Sequence, residues 1–309
     1  MTRPATAPAL SGFEQWDAGH YLAQYYSQVE ADEAATLAFI ARACGRIGKP
    51  GRALVFGAGP TVHHLLPLAP HVRELHVADY LESNLEQVRR WLRRDAAAHD
   101  WRAFGRHVLH CEGAHDVDDA AVEQRERLLR SRVTRCLRAD AGRRQPLFEP
   151  DANSALAPVA PRYDVVLSCF CAESATGDKA VWRRYVRNIV RLLAPGGLFI
   201  TAALRRCSAY RVGGAHFACA DIDEHELADA LLASGIERAG LQMEVHRVGL
   251  RERLGYDGIV LAAATAQAAS PARAWGWRMP ALPPCAEPHR AGPAAWCLAD
   301  SSAGETRCA

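Results

Sequence analysis

The sequence predicts an α/β fold, a doubly wound and mostly parallel sheet behind an N-terminal helical cap. Short apolar runs that end in glycine or aspartate alternate with patterns of helical length, which calls for parallel strands joined by crossover helices. The run Asp164-Val-Val-Leu-Ser-Cys-Phe170 is too continuously apolar for an edge strand and belongs in the sheet centre. Of the 309 residues 49% are apolar and 23% charged, which excludes disorder throughout, collagen and a membrane channel. The length admits one large domain or two small ones.

Taken in order, Trp16 to Gly48 reads as two helices. The second carries Ala35, Leu37, Ile40, Cys44 and Ile47 at near-helical spacing until Gly48-Lys49-Pro50-Gly51 stops it. Ala53–Phe56 and Leu75–Ala78 are apolar runs that read as strands, each leading into a helical pattern, Val62–Leu68 and then Leu85–Leu92. His107–Cys111 and Cys136–Ala139 read as further strands, and the charged helix Asp119–Arg135 between them as an insertion with no reason to sit in the core. Gln145–Pro161 reads as a loop. After the central strand come a helix at Lys179–Leu193, stopped by Ala194-Pro195-Gly196-Gly197, and the strand Leu198–Leu204. Helix Glu224–Ser234 and strands near Leu241–Val248 and Gly258–Ala263 complete the domain. The expected division is a helical cap or lid over residues 1–50, an α/β domain over 51–266, and an irregular tail over 267–309, where Pro, Ala and Trp dominate and periodicity is lost.

Charge and cysteine usage narrow the function classes. With 37 basic against 35 acidic residues the formal charge is +2, so no single-sign field steers the chain to nucleic acid or to a membrane surface. Lys49 and Lys179 are the only lysines, and arginine pairs are therefore read as compositional first. The ten cysteines show no C-x-x-C spacing, and Met1–Phe13 lacks the apolar core of a signal peptide. Reduced thiols in a cytoplasm, and no metal site, are the expectations. The longest apolar runs fall far short of the ~20 residues that span a bilayer.

Gly57-Ala58-Gly59-Pro60-Thr61 lies where a strand turns into a helix, so the backbone and the unpaired N–H groups of the helix start are open to a ligand. Asp79, 20 residues after Gly59 and at the end of the next strand, is placed to accept ribose hydroxyls. Together they point to a nucleotide-bearing ligand. Val62 stands where G-x-G-x-x-G has its third glycine, which disfavours a dinucleotide and favours S-adenosylmethionine (SAM).

A set of further motifs carries a specific resemblance: Tyr21-Leu-Ala-Gln-Tyr-Tyr26, Gly57-Ala-Gly-Pro-Thr61, His64-Leu-Leu66, Ala78-Asp-Tyr80, Asn84-Leu85, Trp91-Leu92, His99-Asp-Trp101, Cys111-Glu-Gly113, Leu167-Ser168, Arg187-Asn188 and Leu192-Leu-Ala-Pro-Gly-Gly197. From about Tyr21 to Ala264 the chain resembles the small-molecule methyltransferases that include nicotinamide N-methyltransferase, phenylethanolamine N-methyltransferase and thioether S-methyltransferase. The resemblance implies the seven-stranded Rossmann-like class I methyltransferase fold, with SAM as cofactor and a small-molecule methyl acceptor as partner.

Carried over by position, the resemblance gives Tyr26 the methionine carboxylate of SAM and lines its amino-acid end with Gly57, Gly59 and Thr61. His63 replaces a tyrosine that touches the cofactor. Asp79 and Tyr80 would hold the ribose, Asn84 the ribose or the carboxylate, Asp140 with Ala141 the adenine edge, and Cys169 would stand beside the ligand. Glu173 occupies the site at which an acid contacts the amine in phenylethanolamine N-methyltransferase, and Asp257 lies near the family's second acidic region. Tyr21 and Tyr210 would wall the acceptor and attract a developing cation through their ring faces.

Where nicotinamide N-methyltransferase has an aspartate that helps recognise the carboxamide, this chain has Ala203, which argues against nicotinamide. Arg206 and Arg211 follow, and guanidinium groups there would suit a carboxylate. An acid for an ammonium and arginines for a carboxylate would make a free amino acid such as methionine an acceptor, giving S-methylmethionine. Two alternatives stay open: a SAM-using cyclase that transfers no methyl, and a SAM-binding regulator without catalysis.

Overall fold

The computed structural model describes residues 12–150, 156–159, 162–248 and 255–267. Two helices, α1 (Ala18–Tyr25) and α2 (Ala31–Cys44), precede β1 (Gly51–Phe56) and β2 (Val72–Asp79). Helices α3 (Glu82–Leu92), α4 (Arg102–Cys111) and α5 (Asp119–Arg132) lead to β3 (Val133–Ala139), β4 (Leu147–Pro150) and β5 (Leu156–Val159). Then come β6 (Tyr163–Cys169), α6 (Lys179–Val190), β7 (Leu193–Arg205), the hairpin β8 (Ala209–Val212) and β9 (Ala215–Ala218), α7 (Glu224–Ala233), β10 (Gln242–Arg247) and β11 (Gly258–Thr265).

The main sheet runs in the order β10-β11-β7-β6-β1-β2-β3-β4-β5. Strands β7, β6, β1, β2 and β3 pair in parallel, β11 and β10 add antiparallel on one edge, and β4 and β5 add antiparallel on the other. The expected seven-stranded, doubly wound sheet is present, extended to nine by the β4–β5 hairpin. From β1 the chain winds outward through β2 and β3, then returns to the other side of β1 with β6 and β7. The winding therefore reverses between β1 and β6, and open α/β sheets place ligands at the carboxyl ends of strands at such a reversal.

Side-chain alternation along β1 splits the core between two faces. Ala53 and Val55 join Leu37, Ile40, Leu66, Trp91, Trp101 and Phe104 on the side covered by α2, α3 and α4. Leu54 and Phe56 join Tyr163, Trp182, Ile189, Phe199 and Leu231 on the α6 and α7 side. Four helix starts are capped by aspartates, Asp17, Asp118, Asp178 and Asp223, each accepting from backbone N–H groups of the first turn.

Several sequence expectations are corrected. His107–Cys111 is the end of α4 rather than a strand, with Phe104 and Val108 buried at helical spacing. Val62–Leu68 holds only the short 3-10 turn His63–Leu65, since Pro67 supplies no N–H with which to continue a helix. Gln145–Pro161 contains β4 and β5. The helix read as an insertion is the crossover into β3. It ends at Arg132, buries Val122 and Leu129, and its Arg130 guanidinium lies 3.9 Å over the Trp91 ring. Arginine stems supply the apolar cover that a count of hydrophobic residues does not register. The tail over 268–309 lies outside the described residues. Among the described residues no helix is long and apolar enough to cross a membrane.

Candidate active site

The carboxyl ends of β1, β2, β6 and β7 converge at the reversal point. Gly57 and Gly59 both adopt left-handed backbone, with φ of +68° and +61°. A Cβ on Gly57 would stand 2.0 Å from Cys171 Sγ, so the turns after β1 and β6 touch there, whereas a Cβ on Gly59 would meet nothing within 4 Å. Gly59 thus borders open space. Asp79 is buried at the end of β2, where Oδ2 accepts from Gly59 N at 2.8 Å and Oδ1 accepts from Leu81 N and Asn84 Nδ2, both at 2.9 Å. Burial raises its carboxyl above the usual range against the pull of these donors. Asn84 in turn accepts from Trp16 Nε1 at 2.8 Å, and Thr61 Oγ1 donates to Ala58 O at 2.7 Å, closing the turn.

Next to β3, the Asp140 carboxylate accepts from Gly142 N at 2.8 Å and from Arg143 Nε at 3.1 Å, and Ala141 O accepts from Asn188 Nδ2 at 2.8 Å. These bonds fix the backbone that was expected at an adenine edge.

On the cap side, the Tyr21 and Tyr26 hydroxyls meet at 3.2 Å. Burial pushes both phenols above their ordinary range and keeps them neutral. The Tyr26 ring lies 4.7 Å from His63, and His63 stacks on Trp101 at 4.7 Å with an interplanar angle of 9°. Glu33 of α2 faces both His63 and His64, its Oε1 2.9 Å and 2.7 Å from their Nε2 atoms. The His64 contact is a hydrogen bond, while both ring nitrogens of the fully buried His63 remain without a hydrogen-bond partner. Burial lowers the His63 imidazole to about 4. Burial also acts to raise Glu33, but the charge interactions with His64 and His63 prevail and hold it well below the carboxylate range.

Phe170, directly after β6, has φ +51°, an uncommon backbone for a bulky side chain. It turns the chain so that Cys169 stays buried in the first core face and Glu173 follows at the strand ends. Glu173 is 2% exposed, and its Oε1 accepts from Leu204 N at 3.1 Å. Burial pushes its carboxyl up to about 7. Beneath it lies a cavity of about 10 Å³ bordered by Ser168, Trp182, Thr201 and Ala203, the size of one water. Tyr210 covers the neighbourhood, its hydroxyl donating to Ser174 O at 3.2 Å and its ring stacked on Phe217 at 5.4 Å. Phe217 carries the aromatic wall on to Phe13 at 5.4 Å and Trp16 at 5.5 Å, and Phe13 reaches Tyr80 at 6.5 Å.

Of the charged groups expected at the acceptor, Arg206 and Asp257 are engaged elsewhere, and among the described residues Arg211 is engaged only through its backbone. Arg206 Nη2 donates to Asp223 Oδ2 at 2.6 Å. Asp257 pairs with Arg205 at 2.6 Å and with Arg247 at 3.4 Å. Arg211 is exposed and anchors α1 through its carbonyl, which accepts from Tyr25 Oη at 2.7 Å and Gln24 Nε2 at 3.0 Å. Sequence reasoning missed Glu33, Phe13, Trp16 and Phe217. Glu33 stands 31 residues from His64 on a helix read as apolar, and the aromatic wall joins Phe13 and Trp16 to Phe217, about 200 residues further along the chain.

SAM fits these residues. Open space borders Gly59, a buried carboxylate ends β2, and two neutral tyrosines stand on the cap side. Fold and crevice define an enzyme of the doubly wound class that works with a nucleotide-bearing cofactor. The NNMT/PNMT/TEMT family model matches residues 7–265, and the chain belongs to that family. Phenylethanolamine N-methyltransferase of Sus scrofa is 34% identical over 65% of this chain and 68% of its own, and that of Bos taurus 30% identical over 74% and 80%. N-methyltransferase NodS of Bradyrhizobium japonicum WM9, solved with S-adenosylhomocysteine, shares 13% identity with a TM-score of 0.43, over 83% of this chain and 94% of that one. The protein is a SAM-dependent methyltransferase.

Proposed function

We propose that this methyltransferase acts on the amine nitrogen of a small molecule with an aromatic body. The observation that carries the reading is Glu173: a buried carboxyl at the switch-point strand ends, raised to about 7, with no ion pair among the described residues. Such a group is suited to meet an ammonium and take its proton near neutral pH. Tyr21, Tyr210 and Phe217 offer ring faces to the acceptor body and to its positive charge. The relatives named above carry an arylalkylamine in their names, in agreement.

SAM would lie with its ribose at Asp79, Tyr80 and Asn84, its adenine beside Asp140 and Ala141, and its methionine end between Gly57, Gly59, Thr61, Tyr26, His63 and Cys169. Bound there, it supplies a methyl group on a positively charged sulfur. The chain's own work is to hold the acceptor nitrogen in line with that methyl, to exclude water with the aromatic wall, and to receive the nitrogen's proton on Glu173. Free methionine and other carboxylates lose the support of Arg206, which is spent on Asp223, and keep only that of the exposed Arg211.

The test is mass spectrometry of the protein incubated with SAM and phenylethylamine, tryptamine, nicotinamide, nicotinic acid or methionine, with S-adenosylhomocysteine quantified. One methyl gained by an arylalkylamine per S-adenosylhomocysteine formed supports the proposal. Turnover confined to methionine or the acids overturns it.

A further inference from the structure

We propose that Glu33, His63 and His64 form a binding site for one divalent transition-metal ion of the zinc class. The three ligand atoms, one carboxylate oxygen and two imidazole nitrogens, lie within 4.8 Å of one another, and all three side chains are buried. They come from two separate parts of the chain, α2 and the short turn after β1, so the convergence is tertiary. Both histidines present Nε2 to the same Glu33 oxygen, at 2.9 Å and 2.7 Å.

The second observation is the state of His63. Its ring is wholly buried, Nε2 faces the Glu33 carboxylate at 2.9 Å but out of hydrogen-bond alignment, and Nδ1 has no partner; leaving such polar atoms unsatisfied is costly unless something else binds them. The ring is clamped between Trp101 at 4.7 Å, Phe104 at 5.0 Å and Tyr26 at 4.7 Å, so its direction is set by packing. Ligand bonds of about 2.0–2.2 Å around a tetrahedral ion put neighbouring ligand atoms about 3.3–3.6 Å apart. From 2.9 Å and 2.7 Å, the Glu33 oxygen would withdraw by roughly 0.4–0.9 Å to reach that spacing.

Two imidazoles and one carboxylate suit a borderline ion and not calcium or magnesium, which take oxygen ligands. Three protein ligands leave a fourth position for water or another small ligand. The site does not depend on the acceptor proposed above, so either reading can fail alone.

The experiment uses the full chain, stripped with a chelator and titrated with Zn2+ against a chromophoric competitor. One equivalent is expected to bind, and Glu33→Gln and His64→Ala are each expected to weaken it by at least about tenfold. Failure to bind one equivalent, or binding that survives both substitutions, overturns the proposal. Should either variant fail to fold, Co2+ added to the unaltered protein reads the ligands directly. Visible ligand-field bands without thiolate charge transfer are expected, and a thiolate band would assign the ion to cysteines and overturn the site.

Discussion

At Glu173 the chemistry and the stability of the protein are tied together. Replacing it with Gln keeps the shape and removes the proposed proton acceptor, so kcat/KM for an amine is expected to fall about 10²–10⁴-fold. In the unaltered enzyme the rate should rise with pH through about 7, where the buried carboxyl ionises, and Glu173→Gln should lose that limb; an unchanged profile would remove Glu173 from the mechanism. The folded-state value lies above the ordinary 4.5, so the group's contribution to stability is fully present below about pH 4.5 and is lost as pH rises through about 7. Glu173→Gln should therefore unfold at a higher temperature than the parent at pH 9 but not at pH 4, with a difference approaching about 3 kcal/mol. Thermal melts at both pH values check this. The two glycines of the first turn separate in the same way. Ala at Gly57 carries left-handed strain and a clash with Cys171, so Gly57→Ala should destabilise the fold by more than the about 1–2 kcal/mol of backbone strain alone. Gly59→Ala adds that strain without a clash, and its larger effect should be on SAM affinity, measured by calorimetry beside the melt.

The elements differ in how plainly the sequence announces them. Strands β1, β6, β7 and β11 each carry a continuous buried stretch because both faces are covered there, and helices α3, α6 and α7 are periodic because only one face is. Helix α4 was obscured because His107, Cys111 and a buried Gly105 break the apolar stripe, and that glycine lets Val122 of α5 approach to 3.0 Å of where a Cβ would be. The β4–β5 hairpin was obscured by prolines at both ends, tolerated because it sits at the sheet edge. Of the candidate site, the glycine turn and Asp79 were legible because backbone conformation demands them at fixed spacing. The fate of Arg206 and Asp257 was not, since their partners Asp223 and Arg205 are decided by how loops cross. Helix α1 and the β8–β9 hairpin meet through one such crossing, the bond from Tyr25 Oη to Arg211 O. Tyr25→Phe removes it and should cost about 1 kcal/mol, raise KM for the acceptor several-fold as the hairpin bearing Tyr210 loosens, and leave SAM affinity unchanged. A parallel loss of SAM affinity would show that α1 serves the cofactor side instead.

Across the whole molecule, the N-terminal helices do more than cover a crevice. Leu37, Phe39, Ile40, Ala43 and Cys44 of α2 are buried in the same core face as β1 and α4. Arg46 donates to Ala263 O at 3.1 Å and to Gly240 O at 3.0 Å, Arg42 pairs with Glu244 at 2.7 Å, and Tyr256 donates to Asp32. The first helices are thereby stitched to the last strands, 194 residues or more away. Burial of those five side chains is worth on the order of 10 kcal/mol, as much as a whole domain's net stability of about 5–15 kcal/mol. A lid that merely opens and closes could be removed and leave a folded domain that had lost only cofactor affinity. Here the boundary near residue 50 marks a change of secondary structure within one core, and a chain beginning at Gly51 should not fold: its near-ultraviolet dichroism should be flat and its unfolding non-cooperative. A version beginning at Glu30, which keeps α2 and discards α1 with Tyr21 and Tyr26, should melt cooperatively while failing to bind S-adenosylhomocysteine in a thermal-shift titration. If the chain from Gly51 melts cooperatively instead, α2 is a detachable cover, and the segment before the sheet is a lid in the full sense.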